Sequence, residues 1–311
     1  MKRRDFLGSL SALGATAALG RTPGASAEAG SASGAPVSGT TRITLLHTND
    51  THDHLDPFPA GTGRMSGLGG VARRATLVKR LRKELGNVLL LDAGDAFQGT
   101  PYFNEWKGSL DFKFMSEIGY DAVTLGNHDF DAGVDGLEAA MKEATFPFVC
   151  TNLTFEGAPG LAKRVVPSLV KEVGGIRVGI LGATYRFNGM VLPENHRGVS
   201  WVDPVEALTP AVKRLLEQER CQLVVLLSHL GLHGEGGKAG SVEIASLVPG
   251  FDAIISGHTH LFMDKPEVVK TSAGETVVFE VGYGGAELGR LDFTFRDGRL
   301  AAWSRGAVYH V

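Results

Sequence analysis

From residue 41 onward, short apolar runs alternate with amphipathic stretches, and no polar interval between them is long enough to separate one domain from another. Residues 43–47 read as a strand. Residues 71–85 repeat apolar side chains at helical spacing with basic residues on the other face, and 88–91 form a second strand. The alternation continues with a helix over 110–118, a strand over 122–125, a helix over 137–144 and a strand over 146–150. Residues 168–173 and 176–181 flank Gly174-Gly175, a pair suited to positive φ, and so predict a hairpin. Asp203 as N-cap, Pro204 at the first helical position and Glu206 behind them predict a helix running to about Arg220. Buried strands follow at 222–227 and 253–256. After residue 267 the pattern is β only, with runs at 277–281 and 288–295, then Asp297-Gly298 turning into a last strand. Such an order predicts a layered α/β fold: a four-layer α/β/β/α sandwich of two mixed sheets, face to face, flanked by helices.

Composition removes several function classes. The chain has 311 residues, 43% hydrophobic and 21% charged, which is incompatible with disorder, a fibre or a disulfide miniprotein. A formal charge of −3 offers no basic surface to a nucleic-acid duplex or an anionic membrane. The two cysteines, Cys150 and Cys221, are too few for a thiolate zinc site and are expected as buried free thiols. The 42 glycines have no three-residue period, and Ser66-Gly67-Leu68-Gly69-Gly70 lacks the lysine of a phosphate loop, so it reads as a tight turn into a helix.

The first 27 residues carry an address. Lys2, Arg3 and Arg4 precede Phe6-Leu7, residues 7–20 are apolar but too short to span a bilayer stably, and Ala25-Ser26-Ala27 offers an A-x-A cleavage site. The paired arginines resemble the twin-arginine export signal, so residues 1–27 are expected to be removed on export to the periplasm or exterior, leaving no membrane span. The remaining chain would carry a charge near −6. Residues 28–40 are Gly/Ala/Ser/Pro-rich and read as a flexible linker, with a single folded domain at 41–311.

Five apolar runs are each followed by side chains that ligate metals. Asp50-Thr51-His52 follows the run at 43–47, Gly94-Asp95 the run at 88–91, and Gly126-Asn127-His128-Asp129 the run at 122–125. Ser228-His229 follows 222–227, and Gly257-His258-Thr259-His260 follows 253–256. A single histidine is more often a satisfied core or surface residue, but loops at successive strand ends converge, and repetition there points to one site.

The order DxH, GD, GNHD, H, GHxH resembles the calcineurin-like metallophosphoesterases. Within them, His47-Thr48-Asn49-Asp50-Thr51-His52, Gly94-Asp95 with Gln98-Gly99, and residues 126–131 resemble the catalytic domain of the 5′-nucleotidase family over about 42–296. The resemblance implies two divalent metal ions. Asp50, His52 and His260 would hold one, Asn127, His229 and His258 the other, with Asp95 shared. Imidazole and amide donors favour Zn, Mn, Fe or Co over Ca, and the residue types do not choose among the four. The implied chemistry is in-line attack on phosphorus by a metal-bridging hydroxide. His128 is implied to meet the phosphate and help the leaving oxygen instead of binding metal. Asp131 resembles the partner that orients its ring, and Asp129 is the rival at this spacing.

The reading is therefore an exported dinuclear metal-dependent phosphoesterase, a 5′-nucleotidase-like phosphomonoesterase acting on a small phosphorylated substrate of nucleotide type. Full-length members of the family carry a second domain that grips the nucleobase, whereas this chain stops at Val311. The expectation is a stand-alone catalytic domain working with a separate nucleotide-binding protein, with Arg186 and Phe187 supplying a phosphate contact and stacking. A 2′,3′-cyclic or linear phosphodiesterase is the second reading and a sulfur-ester hydrolase the third. A non-catalytic metal- or phosphate-binding module is the reading of another class.

Overall fold

The apolar runs pair side by side into two sheets because each buries both faces. The computed structural model describes residues 39–304 and 306–311, so the leader predicted at 1–27 lies outside the described residues, as does the linker up to residue 38. Thr40, assigned to that linker, instead pairs with Arg296.

The first sheet runs Arg299–Trp303, Glu287–Arg296, Thr40–Thr48, Val88–Asp92, Ala122–Val123, Phe148–Val149, Val165–Val166, with Ala307–His310 also on Glu287–Arg296. The second runs Glu267–Thr271, Gly274–Phe279, Ala253–Ser256, Leu223–His229, Ile176–Thr184, Leu169–Val173. In the first sheet the pairs are antiparallel from Arg299–Trp303 to Thr40–Thr48 and parallel from there to the Val165–Val166 edge; in the second they are parallel through the middle and antiparallel at both edges. The central strands therefore end on a common side, where loops collect.

Side-chain alternation sorts three apolar layers. Ile43, Leu45, Leu89 and Leu91 face Ile180, Val225, Leu227 and Ile255 between the sheets. Leu46 and Leu90 point the other way, onto the helices Val71–Leu85 and Ser109–Ile118 through Val78, Leu81, Phe112 and Met115. Val224, Leu226 and Ile254 likewise meet Leu208, Val212 and Leu215 of the helix Pro204–Glu217. The order of layers is α/β/β/α, as the alternation predicts.

Local chemistry sets the boundaries. Gly70, at φ 94°, opens the helix Val71–Leu85, so the glycine-rich run is a helix start. The Asp203 carboxylate accepts from Val205 N–H at 3.0 Å and caps Pro204–Glu217. Gly174 and Gly175 turn Leu169–Val173 into Ile176–Thr184 at φ 57° and 77°. Several short elements carry too weak a period to predict, among them the helices Pro101–Trp106 and Ser241–Leu247 and the edge strand Glu267–Thr271. Cys150 and Cys221 are buried and free.

Candidate metal and phosphoester site

Loops from both sheets meet at the shared strand ends, and they are tied to one another through the backbone. Asp50 N–H donates to Gly94 O at 2.9 Å, His52 N–H to Asp95 O at 3.2 Å, and Gly284 N–H to Asp50 O at 2.7 Å. Asp50, His52, Asp95, His258 and His260 all have positive φ, between 48° and 83°. Non-glycine residues adopt that region rarely, and clusters of such residues mark sites where side-chain placement overrides backbone preference.

Among the described residues two groups can each hold a metal ion: Asp50, His52 and His260, and Asp95, His229 and His258. Asp50 Oδ1 lies 3.3 Å from His260 Nε2, 3.8 Å from His52 Nε2 and 3.9 Å from His229 Nε2, so it stands between the groups. Asp95 Oδ2 lies 2.9 Å from His229 Nε2. Asn127 Oδ1 is buried without a hydrogen-bond partner.

The donor atoms fit cations on their own chemistry. His52 Nδ1 is 2.9 Å from Phe97 O and His229 Nδ1 is 2.7 Å from Ala93 O; a carbonyl only accepts, so both rings carry their proton on Nδ1. In the neutral rings each Nε2 is then a lone pair. That of His52 faces His260 Nε2 at 3.0 Å, and that of His229 faces the Asp95 carboxylate. Lone pairs converging in a buried space need a positive charge between them. Without metal a proton fills that role: burial alone would lower His229, but Asp95 and Asp50 outweigh it and hold the imidazole up at about 10. Burial would raise Asp95, and His229 beside it holds that carboxyl far below the usual range. His258 goes the other way, pushed down to about 4 by burial and by His229.

His128 occupies a different position from the ligands. Its side chain keeps 37% exposure while His229 has none, and its ring centroid is 5.4 Å from that of His52. Its Nδ1 lies 2.7 Å from Asp131 Oδ2, a contact that raises its pKa. Asp129 does something else: its carboxylate accepts the N–H groups of Asp95, Ala96, Phe97 and Gly126 at 2.8–3.3 Å, clamping the Asp95 loop.

Arg186 and Phe187 have different surroundings. Phe187 is 3% exposed, its ring packed on Phe130 at 4.9 Å and His196 at 4.7 Å, so no face is free for stacking on substrate. Arg186, over the Tyr185 ring, lines a cavity of about 170 Å³ with Tyr185, Trp201 and Lys238. The aromatic rings that do reach the ligands are Tyr185, stacked on His258 at 4.7 Å, and Tyr283, stacked on His260 at 5.0 Å. A tyrosine next to the 253–256 strand's loop in space, but distant in sequence, leaves no local signal.

The model of the calcineurin-like phosphoesterase family matches residues 43–262. The chain belongs to this family. Its members of known structure share the fold: the 5′-nucleotidase precursor of Thermus thermophilus aligns with a TM-score of 0.77 and 36% identity, over 87% of this chain and 54% of that one. A snake venom 5′-nucleotidase of Gloydius brevicauda is 34% identical over 281 residues, 84% of this chain and 46% of its own length. The trifunctional nucleotide phosphoesterase of Bacillus subtilis is 32% identical over 291 residues, 84% of this chain and 18% of its own length. The chain thus spans about half the length of the venom enzyme, or less in the larger relative. Family and ligand groups together mark a metal-dependent phosphoric ester hydrolase fold. No helix among the described residues is long and apolar enough to cross a membrane.

Proposed function

We propose that the chain hydrolyses phosphate monoesters of nucleotide type, with two divalent ions and with His128 as the catalytic acid. The observation that carries this reading is the gathering of ligand atoms in one buried space, His52 Nε2 3.0 Å and Asp50 Oδ1 3.3 Å from His260 Nε2, beside the part-exposed His128 ring. Asp50, His52 and His260 would hold one ion and Asn127, His229 and His258 the other, with Asp95 between them. Ions bound there would supply charge neutralisation for the phosphate and an acidified water as nucleophile. The protein does the rest. Asp131 orients the His128 ring through Nδ1, which leaves Nε2 to give its proton to the leaving oxygen. Asp129 fixes the Asp95 loop so that its carboxylate is presented without rearrangement.

The relatives named 5′-nucleotidase support nucleoside monophosphates as the substrate class. The relative named a trifunctional nucleotide phosphoesterase supports more than one activity at such a site, and the second reading is a 2′,3′-cyclic or linear phosphodiesterase. Phosphate release from nucleoside 5′-monophosphates, 2′,3′-cyclic nucleotides and bis-p-nitrophenyl phosphate, by protein reloaded with Mn²⁺ or Zn²⁺, separates the two. No hydrolysis of any of them by metal-loaded protein would leave a binding module. Export of this unit, residues 41–311, in a folded state is the companion proposal, supported by Arg3-Arg4 and Ala25-Ser26-Ala27. Replacing both arginines by lysine should retain the protein in the cytoplasm.

A further inference from the structure

The loop that bears two of the three ligand histidines of the second sheet has an awkward backbone. His258 and His260 stand at φ 83° and 55°, one residue apart, on either side of Thr259. Something outside the loop must hold it, since L-residues do not settle there unaided.

The holding group is a carboxylate. Glu280 follows directly on the strand Gly274–Phe279 and is fully buried. Its two oxygens accept from Thr259 Oγ1 at 3.0 and 2.9 Å, from Leu261 N–H at 2.8 Å and from Ser256 Oγ at 3.0 Å. The three donors bracket His258 and His260. A line of hydroxyls extends the tie to the third histidine: Ser256 Oγ is 3.0 Å from Ser241 Oγ, which is 2.8 Å from Ser228 Oγ, and Ser228 precedes His229. The next residues hold the facing ligand. Val281 N–H donates to Asn49 Oδ1 at 3.0 Å, and Asn49 Nδ2 donates to Asp50 Oδ2 at 2.7 Å.

Charge gives the second argument. Among the described residues no lysine, arginine or histidine forms an ion pair with Glu280. A carboxylate buried without a cation is expensive in free energy, and neutral Gln would satisfy volume at lower cost. Negative charge at this place is useful when strong positive charge lies just beyond the histidines.

The structure assigns to Glu280 the role of positioning residue for the metal ligands: it holds the backbone and side chains on either side of His258 and His260, and among the described residues no cationic side chain pairs with it. This rests on the two-metal reading proposed above.

Full-chain protein stripped of metal and titrated with Mn²⁺ by calorimetry, with bound ions counted by elemental analysis, tests the role. Visible absorption of the Co²⁺-loaded protein reports ligand geometry, which a merely structural residue would not alter. Glu280→Gln should fold, with the metal-free unfolding temperature near wild type, yet bind ions about 10- to 100-fold more weakly and show shifted Co²⁺ bands. Thr259→Val, which removes one donor and keeps the shape, should show a smaller loss in the same direction, and it decides the matter if Glu280→Gln does not fold. Wild-type affinity and unchanged Co²⁺ bands in the folded variant overturn the assignment to Glu280 alone. Wild-type protein that binds fewer than two ions overturns the two-metal reading, and this inference with it.

Discussion

Asp131 Oδ2 stands 2.7 Å from His128 Nδ1, and the imidazole it holds lies beside the ligand groups without belonging to either. His128→Ala should lower kcat by about 100-fold or more while metal content stays near wild type. Asp131→Asn, which keeps the ring but loosens its orientation, should cost roughly 10-fold. Elemental analysis beside steady-state kinetics checks both, and loss of both ions from His128→Ala would reassign that residue as a ligand.

Gly126 lies against the carboxylate proposed to serve both ions. A Cβ there would come 2.0 Å from Asp95 Oδ1, the atom that accepts His128 N–H at 2.7 Å. Gly126→Ala should therefore displace Asp95, and activity should fall about 100-fold, the scale of a 1 Å misplacement. Full ion occupancy with wild-type kcat would mean that the loop yields more easily than its clamp by Asp129 suggests.

His47 sits between the sheets, edge-on to Phe279 at 5.2 Å, with neither ring nitrogen hydrogen-bonded. Burial pushes its pKa down from 6.5 to about 3. The folded state thus keeps the ring neutral where the unfolded chain protonates it. Stability from this residue is complete above pH 6.5 and drains away as pH falls towards 3, at about 1.4 kcal/mol per pH unit. Denaturant unfolding of His47→Leu between pH 6.5 and 4 should show a shallower decline than wild type; parallel curves would rule the residue out as a source of acid sensitivity.

Chelation should abolish hydrolysis and lower the unfolding temperature together, because ions that bind only the folded state stabilise it by mass action. At a free concentration one hundred times Kd each ion contributes about 2.7 kcal/mol, equivalent to about 4–5 °C in a chain of this size. Calorimetry with and without EDTA measures the shift. A chelated protein that melts at the same temperature would indicate that the ligand groups do not bind metal.

The long apolar runs make the central strands and the layer order legible, since a strand buried on both faces leaves an uninterrupted signature. The helix Val71–Leu85 is readable to its ends from period and glycines. The helix Pro101–Trp106 is not, because its six residues complete less than two turns. Within the site, residue order and spacing mark which side chains gather, but they do not separate Asp129 from Asp131, which differ only in where a short helical turn aims them. Phe187 reads as a loop ring open to substrate, and contact with Phe130 draws it inward. Glu280 does leave a trace that can be followed: a lone acid inside Val277-Val278-Phe279-Glu280-Val281 is out of place in an apolar run unless something nearby needs it.

Each ligand group is shared across the sandwich. Asp50 and His52 come from the first sheet and His260 from the second; Asp95 comes from the first, and His229 and His258 from the second. A chain with only one layer assembled therefore has at most two of the three side chains of one group and one of the other. Metal can be taken up only once both layers have closed, so the ion captured is drawn from whatever pool surrounds the protein at that moment.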